Sequence, residues 1–190
     1  MVSFSALLLP IALSAVLVFV ASSVIHMLLR YHNVDYRPLP NEDAVMAVVR
    51  QSGATPGQYV FPHCQDQKLM DTPEMKRKFA EGPIGTLYVK AGSPLQLGSF
   101  LGKWFGYSLA VSALVAYLAR AELHAGDPYL RVFQLVGTAT WFAYSWQGPA
   151  DSIWKGKPWA VTWKEMFDGL IYGALTAGIF AWLWPHAAGA

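Results

Sequence analysis

Residues 6–29 read ALLLPIALSAVLVFVASSVIHMLL, and this stretch decides the fold. From residue 1 to residue 29 there is no Asp, Glu, Lys or Arg, and a helix needs about 20 apolar residues to cross a bilayer. A secretory signal peptide is the competing interpretation. It requires a basic leading region, which is missing, and an apolar run of about 7–15 residues, which this one exceeds. Residues 1–29 are therefore expected to form a transmembrane helix.

The rest of the chain agrees with a membrane setting. Of 190 residues, 54% are hydrophobic and 14% charged, against about 25% charged in soluble domains. That balance argues against a disordered chain and against an ordinary cytosolic enzyme. Eight Trp and nine Tyr suit the two membrane interfaces. A net charge of +2 is too small for a nucleic-acid partner. The single cysteine, Cys64, excludes an internal disulfide.

Three more apolar stretches follow. Residues 99–119 carry Lys103 near their start, where its stem can snorkel toward headgroups. Residues 129–146 are shorter and contain Arg131, Gln134, Thr138 and Thr140. Residues 166–184 close the set, with Asp168 at their beginning. The expected fold is mainly α: a four-span transmembrane bundle with a small cytoplasmic α+β insert, 30–98, between spans 1 and 2. Residues 120–128 form a short outer loop, 147–165 a cytoplasmic interfacial segment, and 185–190 an outer tail.

Basic residues set the orientation. Of fourteen Lys and Arg, all but Arg120 and Arg131 fall in 30–98 or 147–165 or, as Lys103 does, at their border. The positive-inside rule then places both loops in the cytoplasm and both termini outside. Compact topology and the absence of eukaryotic targeting signals point to a bacterial inner membrane.

The insert has its own punctuation. Asn41 before Glu42 and Asp43 reads as a helix N-cap, with Gly53 near the stop. Residues 58–61, between Gly57 and Pro62, read as a strand, as do 85–90. Thr72-Pro73-Glu74 opens a second helix, with proline at the first helical position. About 65 residues is marginal for an independent core, so the insert is expected to lean on the helices or on a partner. Lys76, Arg77 and Lys78 are balanced by Asp71, Glu74 and Glu81, as on a solvated helix face.

Two patterns concern assembly. Gly169, Gly173, Ala177 and Ala181 recur every four residues, a spacing that lets helix backbones approach within a membrane. They are expected to serve internal packing or a partner interface. Trp154, Lys155, Lys157, Trp159, Trp163 and Lys164 read as an amphipathic stretch at the cytoplasmic headgroups.

Reactive constellations are sparse. Ionisable groups inside spans are candidates by default, which singles out His26, with Ser22 one turn before it, and Asp168, with Lys164 four residues before it. Lys103 completes this candidate polar site. The spacing of Lys164 and Asp168 suits an ion pair along a helix. His26 and His32 are six apart and diverge on a continuous helix, so no haem is expected. His63-Cys64 lacks a second ligand cluster, and no zinc-protease, nucleophile-elbow or Walker motif occurs. No catalytic residue, metal or cofactor is therefore expected.

The leading expectation is a non-catalytic accessory, assembly or scaffold subunit of an inner-membrane complex, with membrane lipids and other membrane subunits or a second copy as partners. The alternative is a membrane enzyme or lipid-binding protein, and it requires His26, Lys103 and Asp168 to converge on one cavity at the cytoplasmic interface. A small pore or transporter would need Gln134, Thr138 and Thr140 to line a polar path.

Overall fold

Helix α1 (Leu8–Ser23) grows from a 3-10 turn at Ser5–Leu7 and owes its length to the uninterrupted apolar run. Its end is abrupt. The backbone widens into a π-helical turn over Val24–Leu28, closed by the Leu29 amide bonding to the Val24 carbonyl at 3.0 Å. Leu29 is extended (φ −83°, ψ 117°), and a 3-10 turn at Arg30–His32 follows. In this computed structural model, which describes residues 2–187, the chain is mainly helical with one small two-stranded sheet. Met1 and residues 188–190, the latter part of the expected outer tail, lie outside the described residues.

The chain divides into two compact units. The first contains residues up to Asp35, Gln96–Ala150 and everything from Pro158 on. Its long helices are α1, α4 (Leu97–Glu122), α5 (Tyr129–Ser145) and α7 (Trp159–Trp182). Helix α1 packs on α4 and α7, and α5 packs on α4 and, most extensively, on α7. Their shared core is formed by Leu7, Ile11, Val111, Val115, Val132, Val136 and Phe180. A second cluster joins Val18, Ile25 and Tyr172.

Small and hydroxyl residues let these helices approach. A methyl group added at Gly173 would stand 3.0 Å from the Gly137 carbonyl oxygen, and one at Gly137 would stand 3.2 Å from the Ala177 methyl. Ser14 donates to the Pro10 carbonyl at 2.7 Å and to Ser112 at 3.1 Å, linking α1 to α4. The expected row of Gly169, Gly173, Ala177 and Ala181 is buried in this unit. Gly169 and Gly173 face α5, where an added methyl group would meet Ser145 and the Gly137 carbonyl oxygen.

The second unit comprises Tyr36–Leu95 and Asp151–Lys157. It contains α2 (Glu42–Gln51), α3 (Pro73–Glu81) and an antiparallel pair, β1 (Gly57–Phe61) with β2 (Gly85–Val89), in the register Gly57 opposite Val89 and Phe61 opposite Gly85. Thr72 caps α3, its hydroxyl accepting from the Met75 amide. Asn41 departs from expectation. It adopts a left-handed conformation (φ 52°) and its side chain caps nothing, while its carbonyl accepts from the Val45 amide.

Two boundaries differ from the sequence reading. Residues 30–35 belong with the long helices and not with the insert. The segment 147–165 is not one element: α6 (Gln147–Lys155) stops before Gly156 at φ +72°, and α7 then starts directly after Pro158. Trp159, Trp163 and Phe167 are exposed along α7, whereas Met166 turns inward. Two stretches, Ser5–Leu28 and Leu97–Glu122, are long and apolar enough to cross a membrane. Helix α5, at 17 residues, is shorter than the usual 20 or so, and α7 opens with Lys164, Glu165 and Asp168.

Candidate functional site

The break after Leu28 sends the chain back over the end of α1. His32 consequently stacks on His26, with ring centroids 4.6 Å apart. The expectation that these rings diverge assumed a helix continuous through residue 32, and the π-turn with extended Leu29 removes that assumption.

His32 lies between two carboxylates. Its Nδ1 is 2.6 Å from Asp35 Oδ2, and its Nε2 is 2.8 Å from Asp168 Oδ2. The other Asp168 oxygen accepts from the Tyr31 hydroxyl. Asp168 and Asp35 are nearly sealed from solvent, with side chains 4% and 5% exposed. Burial at that level costs several kcal/mol per ion unless each charge is partnered, and here each one is.

Lys164 does not pair with Asp168. Its ammonium reaches across to Asp35 and donates to the Tyr31 carbonyl at 2.7 Å. The expected ion pair within the helix thus gives way to one that neutralises a buried carboxylate on another segment. Burial pushes the Asp35 carboxyl up, but hydrogen bonds from Lys164 and His32 outweigh it and hold the group below the usual carboxylate range. Burial, reinforced by the hydrogen bond to Asp168, raises the Tyr31 phenol.

A cavity of about 440 Å³ opens beside this cluster. Its polar margin is His26, Glu165, Asp168, Ser22 and Ser23, and its apolar wall is Met27, Leu101, Trp104, Tyr144 and Tyr172. Ser22 does not serve His26 as a partner. Its hydroxyl accepts from Trp104 Nε1 at 2.8 Å and donates to the Phe19 carbonyl.

Lys103 is elsewhere. It is exposed, its ammonium 5.9 Å from the Phe100 ring, and it borders a separate shallow depression with Tyr107. Adjacent helix positions point about 100° apart, and it is Trp104 that faces α1. Of the expected polar site, His26, Ser22 and Asp168 converge, while Lys103 does not. Tyr31, His32, Asp35 and Glu165 join a site that sequence reasoning had not given them.

The interface residues separate by unit. Lys155 pairs with Asp151 at 2.7 Å and Trp154 is exposed, both in the second unit. Trp159 and Trp163 are exposed on α7, whereas Lys164 is committed to the buried site. Gln134 and Thr138 border a shallow depression with Arg131, but Thr140 is buried and donates to the Val136 carbonyl. The three do not line one path.

His26, His32 and Asp168 each offer one ligand atom, and these atoms lie within 4.8 Å of one another. The set can bind a cation or pass a proton along Asp35–His32–Asp168. No family model, curated protein or solved structure matches the chain.

Proposed function

We propose that this is a four-span integral membrane protein whose working part is the cavity beside the His26–His32–Asp168 cluster, built to hold a small amphipathic ligand at the cytoplasmic interface. The observation that carries this reading is the convergence of a buried, fully partnered carboxylate, Asp168, and an exposed imidazole, His26, on one cavity with an aromatic wall. The ligand's polar end meets His26 and Asp168, and its apolar body lies against Met27, Leu101 and Trp104.

Membrane residence is supported by how apolar residues are distributed. Leu9 and Leu114 are 62% and 68% exposed, and Leu8, Val20, Leu118, Leu130, Phe142 and Leu170 are also exposed along the four long helices. The groups buried between those helices include Ser14, Ser108, Ser112, Thr140 and Thr176. Water does not tolerate so much contiguous apolar surface, and hydroxyl and small residues between helices are the packing currency of lipid-embedded bundles.

The orientation has a direct test in Cys64, a free thiol and the sole cysteine. In intact bacterial cells a membrane-impermeant maleimide is expected to leave Cys64 unlabelled and to label it once the inner membrane is opened. Labelling of intact, outer-membrane-permeabilised cells reverses the topology.

Function is tested by native mass spectrometry of the protein extracted in mild detergent from its own membranes. A lipid or other amphipathic molecule retained at one per chain, and lost on Trp104→Ala, supports the cavity reading. Stoichiometric copurifying proteins with no retained ligand replace it with the accessory-subunit reading. A specific observation favours that second reading: among the described residues of the second unit, Met75 is the one buried hydrophobic side chain, while Val48, Val60, Phe61 and Leu69 are exposed.

A further inference from the structure

We infer that His26, His32 and Asp168 form a binding site for one divalent transition-metal ion, at the polar end of the cavity that the proposed function makes the working site. The inference rests on that reading for the metal's role and on geometry for its existence.

The donor set is two imidazoles and one carboxylate, with ligand atoms within 4.8 Å of one another. Tetrahedral zinc holds nitrogen and oxygen donors at about 2.0–2.2 Å, which places neighbouring donors roughly 3.3 Å apart. The His32 Nε2 to Asp168 Oδ2 separation of 2.8 Å needs to open by a few tenths of an ångström. His26 supplies the remaining closure, because its ring is exposed and has no hydrogen-bond partner among the described residues.

The surroundings are those a metal ligand needs. A ligating histidine usually gives its second ring N–H to a carboxylate, which fixes the tautomer and strengthens the donor. Asp35 occupies that position at His32 Nδ1, leaving Nε2 to face Asp168. Asp35 is in turn anchored by Lys164. The Tyr31 hydroxyl holds one Asp168 oxygen and leaves the other for coordination. A purely structural His32 bridge accounts for Asp35 and Asp168 but not for the stacked, unbonded His26.

Charge and chemistry select the ion. Asp35, Asp168 and the neighbouring Glu165 set three carboxylates against the single ammonium of Lys164, a surplus of negative charge that favours a dication. Magnesium and calcium prefer all-oxygen shells, whereas imidazole nitrogen suits zinc, iron and cobalt. Three protein ligands leave a coordination position free on the cavity side, as in catalytic sites.

The test uses the full-length chain in detergent, purified without a histidine tag and stripped with EDTA, then titrated with Co²⁺ alone. The expected result is one Co²⁺ per chain with a ligand-field absorption spectrum, displaced by Zn²⁺. His26→Ala and Asp168→Asn are each expected to abolish stoichiometric binding, and Asp35→Asn to weaken it about 10–100-fold. His26→Ala keeps the test decisive: the ring it removes is exposed and its contact is the stack on His32, so the metal-free melting temperature, measured alongside, is expected to move little. Cys64→Ser is expected to leave binding intact.

Binding below one per chain, binding that survives His26→Ala, or binding that disappears with Cys64→Ser overturns the inference. A metal-free chain that still retains an amphipathic ligand overturns the metal site and leaves the cavity reading standing. A metal-loaded chain with no retained ligand supports the metal site and removes the proposed occupant.

Discussion

Gly173→Val is expected to destabilise the helical unit by about 1–3 kcal/mol, the usual range for forcing extra volume into a packed site. Even a methyl group at this position would stand 3.0 Å from the Gly137 carbonyl oxygen and 3.4 Å from the Trp141 backbone nitrogen. Both obstacles are backbone atoms of α5, so relief requires the helices to separate and cannot come from a rotamer change. The matched control is Gly106→Val on α4, where an added carbon meets nothing within 4 Å and the change should stay within about 0.5 kcal/mol. Thermal unfolding followed by tryptophan fluorescence in one detergent compares the two. Equal melting temperatures for both variants would remove the α5–α7 contact as the source of stability.

That contact was partly legible beforehand, and so was the site: His26, Ser22 and Asp168 were legible as ionisable or polar groups inside apolar stretches, while Tyr31, His32, Asp35 and Glu165 were not. The four-residue spacing of Gly169, Gly173, Ala177 and Ala181 signals a close helix approach from periodicity alone, because 3.6 residues per turn puts them on one face. Which helix fills that face is a tertiary fact, and the partner is α5 through Gly137 and Trp141. Helices α1 and α4 were readable because each is a long apolar run, long and apolar enough to cross a membrane. Thr72-Pro73 was readable because cap and first-turn proline are local chemistry.

The rest of the site depended on events with no local signal. Residues 24–29 are Val, Ile, His, Met, Leu and Leu, without glycine or proline to mark the π-turn that ends the helix. The stacking of His26 on His32 follows from that turn, so a reading that extends the helix separates two rings that the fold brings together. The density of chemically active residues at Tyr31, His32 and Asp35 was the available clue. Lys164 shows the opposite failure, in which a correct local rule loses to a tertiary demand. An ion pair at four-residue spacing is worth about 0.2–0.5 kcal/mol on a helix surface, far less than leaving a buried carboxylate such as Asp35 uncompensated.

The same comparison of magnitudes predicts the outcome of removing Lys164. Lys164→Met is expected to cost about 3 kcal/mol in the metal-free protein, near the lower end of the range for breaking a buried pair, because the lysine side chain is itself 26% exposed. The methionine keeps the packing of the stem but leaves Asp35, 5% exposed, with His32 as its remaining partner. Asp35→Asn is expected to cost less, about 1–2 kcal/mol: Lys164 keeps the Tyr31 carbonyl and can turn toward solvent, while the amide still bonds to His32. The double variant Asp35→Asn/Lys164→Met removes both charges together, so it should be more stable than the sum of the two single losses requires, with a coupling of about 1–3 kcal/mol. Denaturation of all four proteins under one set of conditions measures it. Strict additivity would mean that Lys164 does not neutralise Asp35. The carboxylate that orients His32 would then depend on the imidazole alone, and Lys164 would play no part in holding the site together.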